Sequence, residues 1–393
     1  MKRKNRHRGR KRTEEKKKKK KKTLQHLPHE LIIQILLRLP VKSLTRFKCV
    51  CKSWFSVISD PHFANSHFQL STATPTRRIL LLSNKAPRLK TRSIDFEESL
   101  KHVYASPNLK FFNHPLFPYN QFSITLTSSC RGFIFFKCSS SLCLCNPSNG
   151  IHKQIPFSTF DSKSKLDANI FCYMYGFGYD QSKDDYLVVS MSIDTSLDGV
   201  SSHLEFFSLR ANTWKEIEGT HFPYITVSGA PKVGSLIDGA IHWLAFRRDL
   251  DSTVIVAFDL MERELVEMSF PDYIDIELID CDLWVFGEFL ALWVMDMEDN
   301  DKVDIWVMKE YKVRSSWTKT LVLSIDVNST GFFYPICCTK SGDIIGTDGH
   351  TQLLKYDDKG QVIEHYSYNK RGGSQLAMYT ESLLSLPGDS EQA

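Results

Sequence analysis

No stretch of this 393-residue chain holds the ~18–20 uncharged apolar residues that a membrane-crossing helix needs. The apolar run Leu283 to Met295 is interrupted by Glu288, and the first apolar run after the basic N-terminus arrives only at Leu31. A secretory leader is therefore not expected, and the nucleus and/or cytoplasm is the expected location. Ten cysteines are present, but none sits in CxxC spacing with a second pair downstream, so zinc is not expected and reduced thiols are. Cys143 and Cys145 alternate along an expected strand, as Cys49 and Cys51 would if extended, and all four are expected to be small core residues.

Enzyme signatures are also missing. Gly176-Phe177-Gly178 lacks the third glycine of a dinucleotide loop, and there is no GxxxxGK[ST] or GxSxG. Thirteen histidines include no HxxxH or HExxH spacing. His242, beside Trp243 in an expected strand, is expected to be packed or hydrogen-bonded rather than a ligand. Asp296, Glu298, Asp299, Asn300, Asp301 and Asp304 crowd one stretch without the central glycine and spaced final Glu of an EF-hand, as at a solvated hairpin tip. No catalytic residue, cofactor or metal ligand is expected.

What is present is uneven. Residues 1–22 carry fifteen Lys or Arg against Glu14 and Glu15, while the other 371 residues carry 35 Lys or Arg against 43 Asp or Glu. The overall charge of +5 is thus a basic tail on an acidic body. The tail, 1–23, has no apolar residue after Met1 up to Lys22 and is expected to be disordered. Nuclear import, counterion-driven contact with RNA or acidic membrane, and a solvated leader without a role all fit it. The body gives no sign of nucleic-acid binding.

The segment Leu27–Trp54, LPHELIIQILLRLPVKSLTRFKCVCKSW, is the most informative. Glu30, Gln34 and Arg38 make one thin polar stripe at helical spacing, and Leu31, Ile32, Ile33, Ile35, Leu36, Leu37 and Leu39 fill the rest. So little polar surface requires cover on more than one side, which another protein would supply. Pro28 suits a first helical position and Pro40 an end. Val41, Leu44, Phe47 and Val50 predict a second helix, and Trp54, Phe55 and Ile58 a third, ended by a turn at Asp60-Pro61.

This segment, from Leu27 to Phe63, resembles the F-box family. The resemblance implies docking on the Skp adaptor, and through it a cullin, of SCF-type ubiquitin ligases. It also implies that Leu27, Pro28, Ile32, Leu36, Leu39, Pro40, Leu44, Val50, Cys51 and Trp54 line or support that contact. An intramolecular helical cap is the competing possibility.

Beyond Ser71, short apolar strands alternate with turn clusters, which excludes a long-helix body. One hairpin unit recurs at 142–157, 204–219, 254–270, 304–323 and 353–368, its turn-start residues 64, 49, 51 and 47 apart. A second hairpin with glycine at its turn (Gly132, Gly239, Gly287, Gly342) precedes most of them. Its missing member falls at 175–191, where Asp184-Asp185 replaces the glycine. Two hairpins per repeat of about fifty residues is the arithmetic of a β-propeller blade. Residues 79–104 look like a further blade that 379–386 would complete, giving about six. A β-sandwich is the less favoured alternative.

The strings CRGFIFF, LCLCNPSNG, YGFGYDQSKDDYLVV, GAIHWLAF and YTESLLSL, in that order, resemble the plant F-box-associated interaction domain, more closely than kelch repeats with their Gly-Gly pairs. The only such pair is Gly372-Gly373. The expected organisation is 1–23 tail, 24–70 three-helix F-box and 71–393 all-β, propeller-like interaction domain. The function implied is a non-catalytic substrate receptor of an SCF ligase. A propeller-housed hydrolase or oxidase and a tail-driven nucleic-acid binder are the alternatives. Trp214, Trp243, Trp284, Trp293, Trp306 and Trp317 are expected mainly between blades. Acidic turns, including Asp184, Asp185, Asp272, Asp275 and Asp296 to Asp301, could give one face a negative field that favours a basic target.

Overall fold

The structure is a computed structural model that describes residues 27–85, 88–105, 124–138, 141–159, 170–197, 199–217, 224–226, 232–271, 274, 279–296, 301–325, 333–349, 351–368 and 374–387. The basic tail, Asp272, Asp275, residues 297–300 and Gly372-Gly373 lie outside these. The chain divides into two compact units, 1–70 and 71–393.

Among its described residues the first unit has four helices, α1 (His29–Leu36), α2 (Val41–Phe47), α3 (Lys52–Ser59) and α4 (Pro61–Ser71), where three were expected. Asp60-Pro61 is not only a turn. The Asp60 carboxylate accepts from the amides of His62 (2.7 Å) and Phe63 (3.1 Å), and Pro61 takes the first helical position, so the pair starts α4. Pro28 stands one residue earlier than expected, outside α1, with its carbonyl accepting from the amides of Leu31 and Ile32. α1 also ends before Pro40: residues 37–39 close as tight turns, Leu39 N–H donating to Leu36 O.

The second unit is a ring of four- and five-stranded sheets, antiparallel except for one short parallel pair, six blades in all. The first contains β1 (Arg77–Lys85), β2 (Arg88–Ile94) and β3 (Val103–Ala105). The second is β4 (Ile124–Cys130), β5 (Phe133–Cys138), β6 (Leu142–Cys145) and β7 (His152–Ile155). The third is β8 (Ile170–Asp180), β9 (Asp185–Leu197), β10 (Gly199–Ser208) and β11 (Thr213–Glu216). Its long strands account for the first turn-to-turn gap of 64.

The fourth blade has a divided inner strand, β12 (Tyr224–Thr226) and β14 (Ser235–Ile237), both paired with β15 (Ala240–Arg247). Between them β13 (Lys232–Val233) pairs in parallel with β8 of the third blade. β16 (Ser252–Asp259) and β17 (Leu265–Ser269) complete that blade. The fifth is β18 (Ile279–Phe286), β19 (Phe289–Asp296), β20 (Lys302–Met308) and β21 (Trp317–Ser324). The sixth is β22 (Tyr334–Cys338), β23 (Ile344–Thr347), β24 (Gln352–Tyr356) and β25 (Val362–Ser367).

The last strand, β26 (Ser374–Thr380), returns to pair antiparallel with β1, Arg77 opposite Thr380 and Ser83 opposite Ser374. It lies earlier than the expected 379–386. Residues 381–386 instead run as irregular chain, where the Asn146 amide donates to Ser382 O (3.1 Å) and Leu384 O (3.2 Å).

Both faces of each blade are covered, which is why the strands read as unbroken apolar runs. In β1, Leu80 and Leu82 pack on Ile134, Phe136, Cys143 and Cys145 of the second blade, while Ile79 and Leu81 pack on the sixth. Phe135 stacks on Phe177 (6.2 Å between centroids) across to the third blade. Three further shared cores join the third to the fourth, fourth to fifth and fifth to sixth, so the ring is closed. Cys143 and Cys145 are core as expected, but Cys49 and Cys51 are exposed, because they flank the turn between α2 and α3 rather than lying in a strand. Trp243, Trp284, Trp293 and Trp317 are buried, and Trp214 and Trp306 half-buried.

Glycine is required where the inner hairpins turn. Gly132 has φ +85°, and a Cβ there would stand 2.2 Å from Ser382 Oγ and 2.8 Å from Thr380 O. In the third blade Asp184 takes the left-handed conformation itself, at φ +48°.

Candidate functional site

The helical unit has a very small interior. Leu36, Leu37, Val41, Leu44, Ile58, Phe63 and Ala64 fill it, with His67 Nε2 against Leu39 O at 2.8 Å. Phe47 and Trp54 pack 5.3 Å apart between α2 and α3. Cys51 caps α3, its Sγ accepting from Trp54 N at 3.5 Å. Burial lowers the pKa of the Lys48 ammonium.

That interior leaves much apolar surface outside. Leu27 (54%), Leu31 (51%) and Ile35 (52%) are exposed at four-residue spacing, beside the exposed polar stripe Glu30, Gln34 and Arg38. Arg38 folds back on α1, donating to Gln34 O at 2.6 Å. Val50 (59%) and Phe55 (56%) add two more exposed apolar side chains from the turn after α2 and from α3. Leu70, near the end of α4, is exposed as well; isolated exposed apolar residues are ordinary, but six on so short a unit are not.

The ten residues named from sequence divide by position. Leu27, Pro28, Pro40, Val50 and Cys51 are exposed, and Ile32, Leu39 and Trp54 are half-buried. Leu36 and Leu44 are interior, at 1% and 0% exposure, so they can support a docking face but not line it. Leu31, Ile35 and Phe55 were not among the ten, although the four-residue spacing of Leu27, Leu31 and Ile35 was visible in the sequence.

An F-box-like family model matches residues 24–69, and a model of the F-box associated beta propeller domain matches residues 87–367. The chain belongs to the F-box proteins with an associated β-propeller. An F-box/kelch-repeat protein of Arabidopsis thaliana is 31% identical over 378 residues, covering 93% of this chain and 96% of the relative. F-box protein CPR1 of Arabidopsis thaliana is 30% identical over 350 residues, covering 84% and 82%. Among solved structures the Dos1 propeller is similar at a TM-score of 0.35 and 10% identity, over 79% of this chain and 77% of that one. F-box membership implies a Skp-type adaptor as partner.

The propeller of this F-box protein encloses a central cavity of about 390 Å³. Its wall comes from runs of the inner strands, 233–236, 283–285, 335–338 and 376–378. The ionisable side chains in the wall are Arg77, paired with Glu97 at 2.6 Å, and the thiols of Cys337 and Cys338. Burial pushes the Cys337 thiol far up, away from a reactive thiolate. His242 is buried, its ring nitrogens against Ser235 O (3.2 Å) and Tyr311 Oη (2.7 Å), and burial lowers its pKa to about 4. Among the described residues no group of three or more His, Cys, Asp or Glu could hold a metal ion.

Of the acidic turns expected to give one face a negative field, Asp272, Asp275 and residues 297–300 lie outside the described residues. Asp184 pairs with Arg210 at 2.6 Å, and the nearly buried Asp185 accepts from Arg210 N at 2.8 Å and from the Ser208 hydroxyl. Asp180, fully buried, pairs with Arg263 at 2.6 Å. Burial opposes its charge, but hydrogen bonds from Ser182, Lys183 N and Arg263 outweigh that and hold its pKa below the ordinary carboxylate value.

Proposed function

We propose that this chain is the substrate receptor of an SCF-type cullin–RING ubiquitin ligase and performs no bond-making itself. The four helices dock a Skp-type adaptor, and the propeller holds a target protein. The observation that carries this is the exposed apolar set Leu27, Leu31, Ile35, Val50 and Phe55 on a unit matched by the F-box-like model. Covering the outer half of five such side chains gives about 4–7 kcal/mol before ordering costs, enough to anchor a specific contact. Leu36 and Leu44 hold the helices that present it, while Pro28, Ile32, Leu39, Pro40, Cys51 and Trp54 border it.

The receptor acts by proximity, raising the effective concentration of target lysines near a ubiquitin-loaded enzyme. A non-catalytic role is the reading that the F-box-like and F-box associated propeller matches support. The decisive experiment is co-purification of the full chain with a Skp-type adaptor and cullin. Stoichiometric recovery is expected, with loss in the Leu31→Asp, Ile35→Asp double variant; full recovery by that variant refutes the reading. The basic leader is proposed as a nuclear import signal. A fluorescent fusion should leave the nucleus when residues 1–22 are removed, and unchanged nuclear signal overturns that role.

A further inference from the structure

One end of the propeller channel carries a half-open cluster of charge and aromatic surface. The inner strands β13, β18 and β22 each enter the channel wall immediately after Lys232, Asp282 and Tyr334 respectively. These three residues therefore mark the same end of the channel, opposite the tight inner turns at Gly287 and Gly342. Lys232 Nζ donates to Asp282 Oδ2 at 2.5 Å, bridging from the third- and fourth-blade side to the fifth blade.

Asp280 lies two residues before Asp282 and shares its face of β18. Their register partners on β19 are Met295 and Trp293. The Asp280 carboxylate accepts from the neighbouring Cys281 amide, and among the described residues no side chain is seen to pair with it directly. One ammonium thus serves two carboxylates, leaving a surplus negative charge in a half-buried place, where it acts more strongly than in open water. Burial, with Asp282 adding to it, raises the Asp280 pKa, and Lys232 opposes the rise.

Beside the surplus charge stands a positioned ring. Tyr334 is 37% exposed yet packs edge-on against Trp293, 5.6 Å between centroids and 88° between planes. Its other neighbour is Gly349, at φ +80°, where an added Cβ would come within 3.2 Å of the ring. Asp280 is near enough to contribute, after burial, to raising the Tyr334 phenol pKa. A fixed aromatic surface beside a carboxylate that shares its one counter-ion with Asp282 is the chemistry that receives a cation.

We propose that this end of the channel is the propeller's contact for a basic side chain, arginine or lysine, of the target protein. The cation takes up Asp280, and its apolar stem or guanidinium plane lies along Tyr334. Lys232 competes for the same carboxylates and sets the affinity.

This rests on the propeller being the target-binding part of the receptor. The test uses the full chain and a fluorescein-labelled hexa-arginine peptide at physiological salt, with the neutral hexa-citrulline peptide as comparison. Saturable anisotropy change is expected for arginine and not for citrulline. Asp280→Asn and Tyr334→Ala should each weaken binding at least tenfold, whereas Asp358→Asn, the same charge change on an exposed turn of the sixth blade, should change it less than twofold. Lys232→Met should tighten binding several-fold, which mere structural damage would not do. Equal binding by Asp280→Asn and Asp358→Asn, preference for citrulline, or no saturable binding overturns the proposal. Adaptor capture measured on the same variants keeps the outcomes apart: its loss in wild type refutes the ligase role, while its retention beside a failed titration refutes only the channel contact.

Discussion

Replacing Ile35 by aspartate separates docking from folding. Ile35 is 52% exposed, so the free chain loses little packing; with the small helix-propensity cost the change in stability stays within about 1 kcal/mol. In the complex the loss is larger. Covering the open half of an isoleucine is worth about 1 kcal/mol. A carboxylate forced against an apolar partner without a counter-charge adds about 3 kcal/mol or more. Together these exceed about 4 kcal/mol, a loss of affinity on the order of a thousandfold.

The assay is calorimetric titration of the full chain with a Skp-type adaptor, beside circular dichroism and thermal melting of the same samples. Leu44→Asp serves as the contrast, because Leu44 is fully buried and a charge there should unfold the helices outright. If Ile35→Asp binds the adaptor within threefold of wild type while its helices remain intact, the exposed α1 stripe is not the docking face and the reasoning fails.

Two stability experiments address the propeller. Gly132→Ala meets both a left-handed backbone and Ser382, whereas Gly239→Ala at φ +71° meets nothing within 4 Å; thermal melting should show about 1 kcal/mol lost at Gly239 and at least twice that at Gly132, and equal losses refute the close approach. His242 is held neutral by burial with a pKa lowered to about 4, so its contribution is complete above the unfolded value near 6.5 and disappears as pH falls towards 4, costing about 3 kcal/mol. The melting temperature should fall across that window in wild type and less steeply in His242→Gln, and parallel pH profiles would refute the assignment.

The propeller was legible because its strands are covered on both faces, so each blade writes apolar runs such as Ile79–Leu82 and Phe133–Phe136 between polar turns. Turn chemistry located the hairpins even where Asp184 stands for glycine. The helical unit was readable in outline but not in allocation. An apolar side chain in a small bundle can face inward or toward a partner, and composition does not distinguish Leu36 from Ile35, one interior and one exposed. Asp60-Pro61 was ambiguous because the same two residues that end one helix also start the next. The channel cluster was not readable, since Lys232, Asp280 and Tyr334 come from three blades and meet only when the ring forms.

The pairing of β26 with β1 has a consequence for how this protein is made. The strand that completes the first blade follows all the other blade strands in the chain, so a nascent propeller keeps an open seam until the sixth blade and then β26 have left the ribosome. A premature stop before Ser374 would release a product whose first blade lacks its inner strand while the other five are complete, with the apolar surface around Leu80 and Leu82 available to chaperones and proteases.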